Sequence, residues 1–146
     1  MALGAVLAFW VPAARLLESH GARSFPLPLD DVYIYFDFAR STARGCVLCY
    51  TDDGGLSSGA TSPPYALVLA LGWAIGFREQ MLGAFAALVA VVSLVDLFAS
   101  ASEIAPRPRV LAFLAPLVLV GIPVLSWSWV SGMETAFVAR IAGRAL

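Results

Sequence analysis

Residues 81–99, MLGAFAALVAVVSLVDLFA, carry one charge in nineteen positions, and residues 110–130, VLAFLAPLVLVGIPVLSWSWV, carry none. At about 1.5 Å of helical rise per residue, each stretch matches the roughly 30 Å hydrocarbon core of a bilayer. Lipid offers no hydrogen bonds, so a backbone placed there must satisfy its own N–H and C=O groups. Helices do this within one segment. Two such blocks therefore predict an all-α, polytopic membrane protein. The composition agrees: 60% of residues are hydrophobic and only 13% are charged, against about 25% charged in ordinary soluble domains. A net charge of -1 gives no electrostatic attraction for nucleic acid, whose binders are basic.

Two further apolar blocks are shorter. Residues 2–17 would span about 24 Å as a helix. They read as a first membrane anchor rather than a signal peptide, because no basic region precedes them and no clean small-x-small cleavage site follows. Residues 65–77, YALVLALGWAIGF, number thirteen and close at Gly76. That length fits an interfacial or re-entrant helix better than a span. The expected organisation is a first span (1–17), an extracytoplasmic loop with juxtamembrane amphipathic helices (18–80), a second span (81–99), a cytoplasmic loop (100–109), a third span (110–130), and an outer loop leading into the start of a fourth (131–146). Pro116, Gly121 and Pro123 are expected to bend the third span, and Trp127 and Trp129 to anchor its end at the interface.

Loop 101–109 holds Arg107 and Arg109 between the two strong spans, so the positive-inside tendency places it in the cytoplasm. Residues 81–99 then run inward and 110–130 outward, and Glu134 emerges outside. If 65–77 does not cross, the whole 18–80 segment lies outside too. Asp96, near the far end of its span, either reaches the headgroups or is a functional intramembrane acid.

The outer segment opens with the acidic pair Asp30 and Asp31. Asp30 follows a proline and is placed to cap a helix over 31–44 through its carboxylate. On that helix Ile34, Phe38, Tyr35 and Thr42 are expected on one face and Asp37, Arg40 and Arg44 on the other. Gly45 is a suitable stop. Tyr33, Tyr35 and Phe36 suit either a membrane-surface belt or platforms for sugar rings. Cys46 and Cys49 form a C-x-x-C without the strand–helix setting of a redox site. Two thiols and the distant His20 do not complete a zinc site. They are ordinary cysteines, or a disulfide where the loop faces an oxidising space.

Three motifs in order, DDVYIYFDFARSTARG, SSGATSPPYALVLALGWAIGF and SGMET, resemble the N-terminal part of bacterial GT-C-fold glycosyltransferases, in the branch of arabinofuranosyl- and mannosyltransferase-like membrane proteins. SGMET is also similar to the acidic motif of oligosaccharyltransferase catalytic subunits. The resemblance implies a multi-pass protein of the bacterial inner (plasma) membrane that uses a polyprenyl-phosphate sugar as donor, with both acidic motifs on the outer face. Members of that family are far longer, so the chain is expected to be an N-terminal fragment, to work with the missing C-terminal part or a partner membrane subunit, and to be inactive alone.

A hydroxyl acceptor needs a base to remove its proton as the glycosidic bond forms. The resemblance implies Asp30 as that base and Asp31 as a group that orients the acceptor. It implies Glu134 in the same cavity, as a substrate contact or a ligand for Mg or Mn. Arg40 or Arg44 is suited to the donor phosphate, and Tyr33 is a further substrate-binding candidate. Membrane lipids are the expected surroundings. The rival readings are a non-enzymatic membrane protein, whether degenerate remnant or assembly subunit, and a small transporter component, in which acids would line a pathway.

Overall fold

A computed structural model describes residues 30–79, 81–104 and 122–145, and among these the chain is helical, with no strands and one isolated bridge between Cys49 and Leu56. The helices are α1 (Asp31–Ala43), α2 (Pro63–Ala74), α3 (Met81–Ile104), α4 (Pro123–Val130) and α5 (Thr135–Arg144). The expected first span (1–17), Arg107 and Arg109, and residues 110–121 lie outside the described residues.

α1 and α2 end in the same way, and their sequences say why. After α1 the Cys46 amide donates to the Ser41 carbonyl (3.0 Å) and the Gly45 amide to Thr42 (3.1 Å). After α2 the Phe77 amide reaches Gly72 (3.0 Å) and the Gly76 amide reaches Trp73 (3.1 Å). This paired closure needs a left-handed residue just past the helix. Gly45 (φ +108) and Gly76 (φ +115) supply it without a Cβ clash. α2 begins with Pro63 and Pro64 in its first turn, where a missing amide hydrogen costs nothing.

Between α1 and α2 the chain folds over α1. Cys46 and Cys49 are joined in a disulfide that closes a four-residue turn, with the Cys49 amide donating to the Cys46 carbonyl (3.2 Å). Leu48, third in this turn, takes a positive φ (+54), as the corresponding residue of a type II turn does. Thr42 Oγ1 accepts from the Leu48 amide at 3.0 Å, and Arg44 pairs with Asp52 at 2.7 Å. That guanidinium hydrogen bond holds the Asp52 carboxyl below its usual range.

The core lies where α1, α2 and the first half of α3 meet. Val32, Tyr35, Phe36, Phe38 and Ala39 of α1 pack with Tyr65, Ala66, Leu69 and Ala70 of α2 and with Leu82, Ala86 and Ala87 of α3. Tyr35 and Phe38 are buried as the sequence predicts, but Ile34 is exposed. The reason is that α1 is covered on two sides, by α2 and by the disulfide loop, where the Tyr50 ring stands 5.7 Å from Phe38. A single-stripe reading of the helix cannot anticipate two covers. Gly72 lets α2 close on α3, since a Cβ there would meet the Phe85 ring at 2.4 Å. A second cluster sits further along α3: Ala90 and Leu94 against Trp129 and Ala136.

One described helix is long and apolar enough to cross a membrane: Met81–Ser100 of α3, mean hydropathy 2.3. Its outer face shows Leu88, Val92 and Val95, side chains suited to lipid. At the far end of the expected third span Ile122 is extended (φ -83, ψ 112) and a helix starts at Pro123. The proline ring clashes with a helical residue before it. The segment after Glu134 is amphipathic rather than uniformly apolar: Arg140 and Arg144 of α5 turn onto Asp96 of α3.

Candidate functional site

The SGMET segment is a tight corner between α4 and α5, and each residue has a local task. The Ser131 hydroxyl donates to the Ser128 carbonyl at the end of α4 (2.8 Å). Gly132 takes φ +88 to turn the chain. The Ser128 hydroxyl donates to Thr135 Oγ1 (3.1 Å), which closes the corner. Glu134 stands at the position preceding α5, where a carboxylate is favoured by the helix dipole, yet it makes no cap hydrogen bond to its own helix. Its side chain reaches across to another segment.

Thr61, from the SSGATSPP segment, donates to Glu134 Oε1 at 2.8 Å. The Tyr35 hydroxyl lies 2.5 Å from Thr61 Oγ1, and the Ser62 amide donates to the Tyr35 oxygen at 3.0 Å. The direction of this chain is fixed by chemistry. A carboxylate only accepts, so the Thr61 proton goes to Glu134. Tyr35 must then donate to Thr61, and its oxygen takes the Ser62 amide proton. Hydrogen bonds aligned head to tail polarise one another. Tyr65, fully buried, donates to the Gly132 carbonyl at 2.6 Å and packs its ring edge-on to Tyr35 (5.2 Å, 82°). Burial raises the hydroxyl pKa of both tyrosines above the ordinary value, and the nearby Glu134 charge adds to it. Both therefore serve as neutral donors. Glu134 Oε2 is buried and has no hydrogen-bond partner among the described residues.

The other predicted residues fall around this site in a definite order. Asp30 and Asp31 are both exposed at the start of α1 and make no side-chain hydrogen bond among the described residues. Asp30 occupies the capping position without capping, because its backbone is already helical (φ -66, ψ -33) whereas a capping residue is usually extended. The two acids diverge around the helix. Asp31 lies one turn before Tyr35 on the same face, while Asp30 lies one turn before Tyr33. Tyr33 and Arg40 share an open cleft on the far side of α1 with Phe36, Asp37, Trp73 and Glu79. Arg40 is paired there with Asp37 at 3.0 Å, so its charge is partly answered before any phosphate arrives.

Among the described residues no three His, Cys, Asp or Glu side chains converge. Mg and Mn need several oxygen donors. Glu134 offers one carboxylate, whose nearest partner, Thr61, is already spent as a donor. These residues do not by themselves fit a divalent cation. Asp96 is held by Arg140 (2.8 Å) and by Arg144 (3.0 Å to Nε). The acid on the candidate span is thereby accounted for as a clasp between α3 and α5.

Sequence reasoning missed Tyr35, Thr61 and Tyr65 as partners of Glu134. Tyr35 is legible only as an apolar-face residue, and Thr61 reads as turn chemistry before two prolines. Their hydroxyls become a site only once residues 73 positions apart, Thr61 and Glu134, meet. No family model matches this chain, and neither a curated protein nor a solved structure matches it.

Proposed function

We propose that the chain is part of an inverting membrane glycosyltransferase that moves a sugar from a polyprenyl-phosphate donor to an acceptor hydroxyl on the outer face of a bacterial plasma membrane. The observation that carries this reading is the Tyr35–Thr61–Glu134 chain. It draws together the three segments on which the resemblance rests, although they are far apart in sequence. The Cys46–Cys49 disulfide supports an oxidising, extracytoplasmic side for the same segment. The apolar Met81–Ser100 helix supports a membrane setting.

In this reading the acceptor oxygen attacks the anomeric carbon from the face opposite the phosphate. The carbon–oxygen bond to the phosphate breaks, polyprenyl phosphate departs, and the acceptor proton passes to a carboxylate. The resemblance gives the base role to Asp30; we assign it instead to Asp31, because helical spacing sets Asp31 one turn before Tyr35. Glu134, fixed by Thr61, orients the acceptor. The neutral hydroxyls of Tyr35 and Tyr65 keep that carboxylate in place.

The test uses membranes carrying the intact protein and a panel of labelled polyprenyl-phosphate sugars. Asp31→Asn and Glu134→Gln should each lower transfer by about 10²–10⁴-fold, the usual worth of a positioned acid–base group, with expression unchanged. Wild-type rates in both variants, or no transfer with any donor by the unaltered protein together with the C-terminal part or partner subunit it is expected to need, would overturn the proposal.

A further inference from the structure

The cleft on the far side of α1 has a volume of about 290 Å³ and is lined by Tyr33, Phe36, Asp37, Arg40, Trp73 and Glu79. Half of its lining is aromatic. Tyr33 is nearly half exposed and stands edge-on to Phe36 (5.6 Å, 80°). Trp73 is backed by the main apolar cluster, so its ring is held from behind while it borders the opening. The other half is charged. Asp37 and Arg40 pair at 3.0 Å with each side chain about one third exposed, 33% and 37% respectively. The Arg40 Nε is buried and has no partner among the described residues, so only the terminal amino groups remain for the cleft. Glu79 is exposed and holds φ +50, a left-handed conformation that residues other than glycine rarely adopt and that collects at functional positions.

We propose that this cleft is a subsite for a neutral saccharide ring and, resting on the transferase reading above, that it receives a sugar of the acceptor chain away from the reacting hydroxyl, which lies at Asp31 and Glu134. The lining selects among ligand classes. Two carboxylates against one guanidinium leave one net negative charge, which repels phosphates and sulfates. A quaternary ammonium would suit the rings and Glu79 but would meet the Arg40 charge. A sugar answers every feature. Its hydroxyls donate to Asp37 and Glu79 and accept from Arg40, and its C–H face lies on an aromatic ring. The volume is near the lower end of small-molecule sites, about 300–1,000 Å³, which is room for one or two rings. The Tyr33–Phe36–Asp37–Arg40 pattern on one face of α1 thus has a use beyond anchoring at the interface.

The experiment is saturation-transfer NMR on the intact protein in nanodiscs of phosphatidylethanolamine and phosphatidylglycerol, because maltoside detergents and choline headgroups would compete. The probes are a panel of neutral mono- to trisaccharides, with glucose 6-phosphate and choline as alternatives. Saturable binding of at least one neutral saccharide is expected. Glu79→Gln, Asp37→Asn and Trp73→Leu should each weaken it at least tenfold. The first two are exposed or half-exposed polar changes that keep the fold intact should Trp73→Leu disturb it. The inference is overturned if no neutral saccharide binds, if the phosphate or choline binds instead, or if the variants bind as the wild type does. Failure of the two readings is separable. Saccharide binding without transfer keeps the cleft and sinks the transferase. Transfer whose acceptor KM is unmoved by Glu79→Gln and Trp73→Leu does the reverse.

Discussion

Removing one oxygen atom from Tyr65 should loosen the corner that carries Glu134. Tyr65 is 1% exposed and its hydroxyl donates to the Gly132 carbonyl at 2.6 Å. Tyr65→Phe keeps the ring, and with it the edge contact to Tyr35 and the 5.7 Å contact to Phe137. What is lost is one hydrogen bond, and what is left is a carbonyl without its donor. The expected cost is about 1–3 kcal/mol, or a fall in Tm of about 3–9 °C for a chain of this size. Tyr65→Ala removes the ring as well and should cost about 3–5 kcal/mol. Tyr50→Phe, at an exposed ring, should stay within about 0.5 kcal/mol. Thermal melting in detergent micelles measures all three. A double-mutant cycle of Tyr65→Phe with Thr61→Val should show coupling of about 0.5–2 kcal/mol, because both changes free the same corner. An unchanged Tm for Tyr65→Phe, or a loss equal to that of Tyr65→Ala, would refute the claim that the hydroxyl and not the ring pins Gly132.

Three further outcomes follow from other parts of the fold. Gly72→Ala gains up to about 1 kcal/mol of helix propensity but places a methyl 2.4 Å from the Phe85 ring; overpacking of about 1–3 kcal/mol should win, so a stabilised variant in the same melt would contradict the packing. Asp96→Asn should release α5 from α3, detected as faster amide exchange across 135–144; protection equal to wild type would show the clasp to be idle. Tyr35 and Tyr65 have raised folded-state pKa values, so the folded state holds their protons longer than the unfolded state does. Stability should be fully present below the ordinary tyrosine value, 10.0, and fall as pH rises above it; phenolate absorbance in a Tyr33→Phe/Tyr50→Phe background should appear late, and a titration at the ordinary value would argue against burial.

What the sequence discloses and what it hides divides along a physical line. The α1 end at Gly45 and the α2 end at Gly76 are legible because a left-handed stop is a local property of glycine. The long apolar stretch of α3 is legible because hydropathy is a sum along the chain. The extended backbone at Ile122 follows from its proline neighbour. Ile34 was misplaced because burial depends on how many neighbours cover a helix, which no single stripe encodes. The site itself is the least local feature. Glu134 stands out as an acid in an apolar setting, but the direction of its hydrogen-bond chain depends on Ser62 and Tyr35, which are joined to it only through the fold. The clasp shows the same limit. Asp96 read as a headgroup contact or a functional acid, and its arginine partners lie 44 and 48 residues away.

Both apolar clusters hang on one uninterrupted helix, the first at Ala86 and Ala87, the second at Ala90 and Leu94. A helix advances about 100° per residue, so α3 works as a clock that sets the phase between them. Adding or deleting one residue between Ala87 and Ala90 would swing the second cluster about a third of a turn around the axis, carrying Glu134 away from Thr61 while leaving every local sequence motif intact. Length changes in this stretch can preserve the alignment only in steps that restore the phase, three or four residues at a time. The spacing along α3 is therefore as much a part of the site as the acids and hydroxyls that form it.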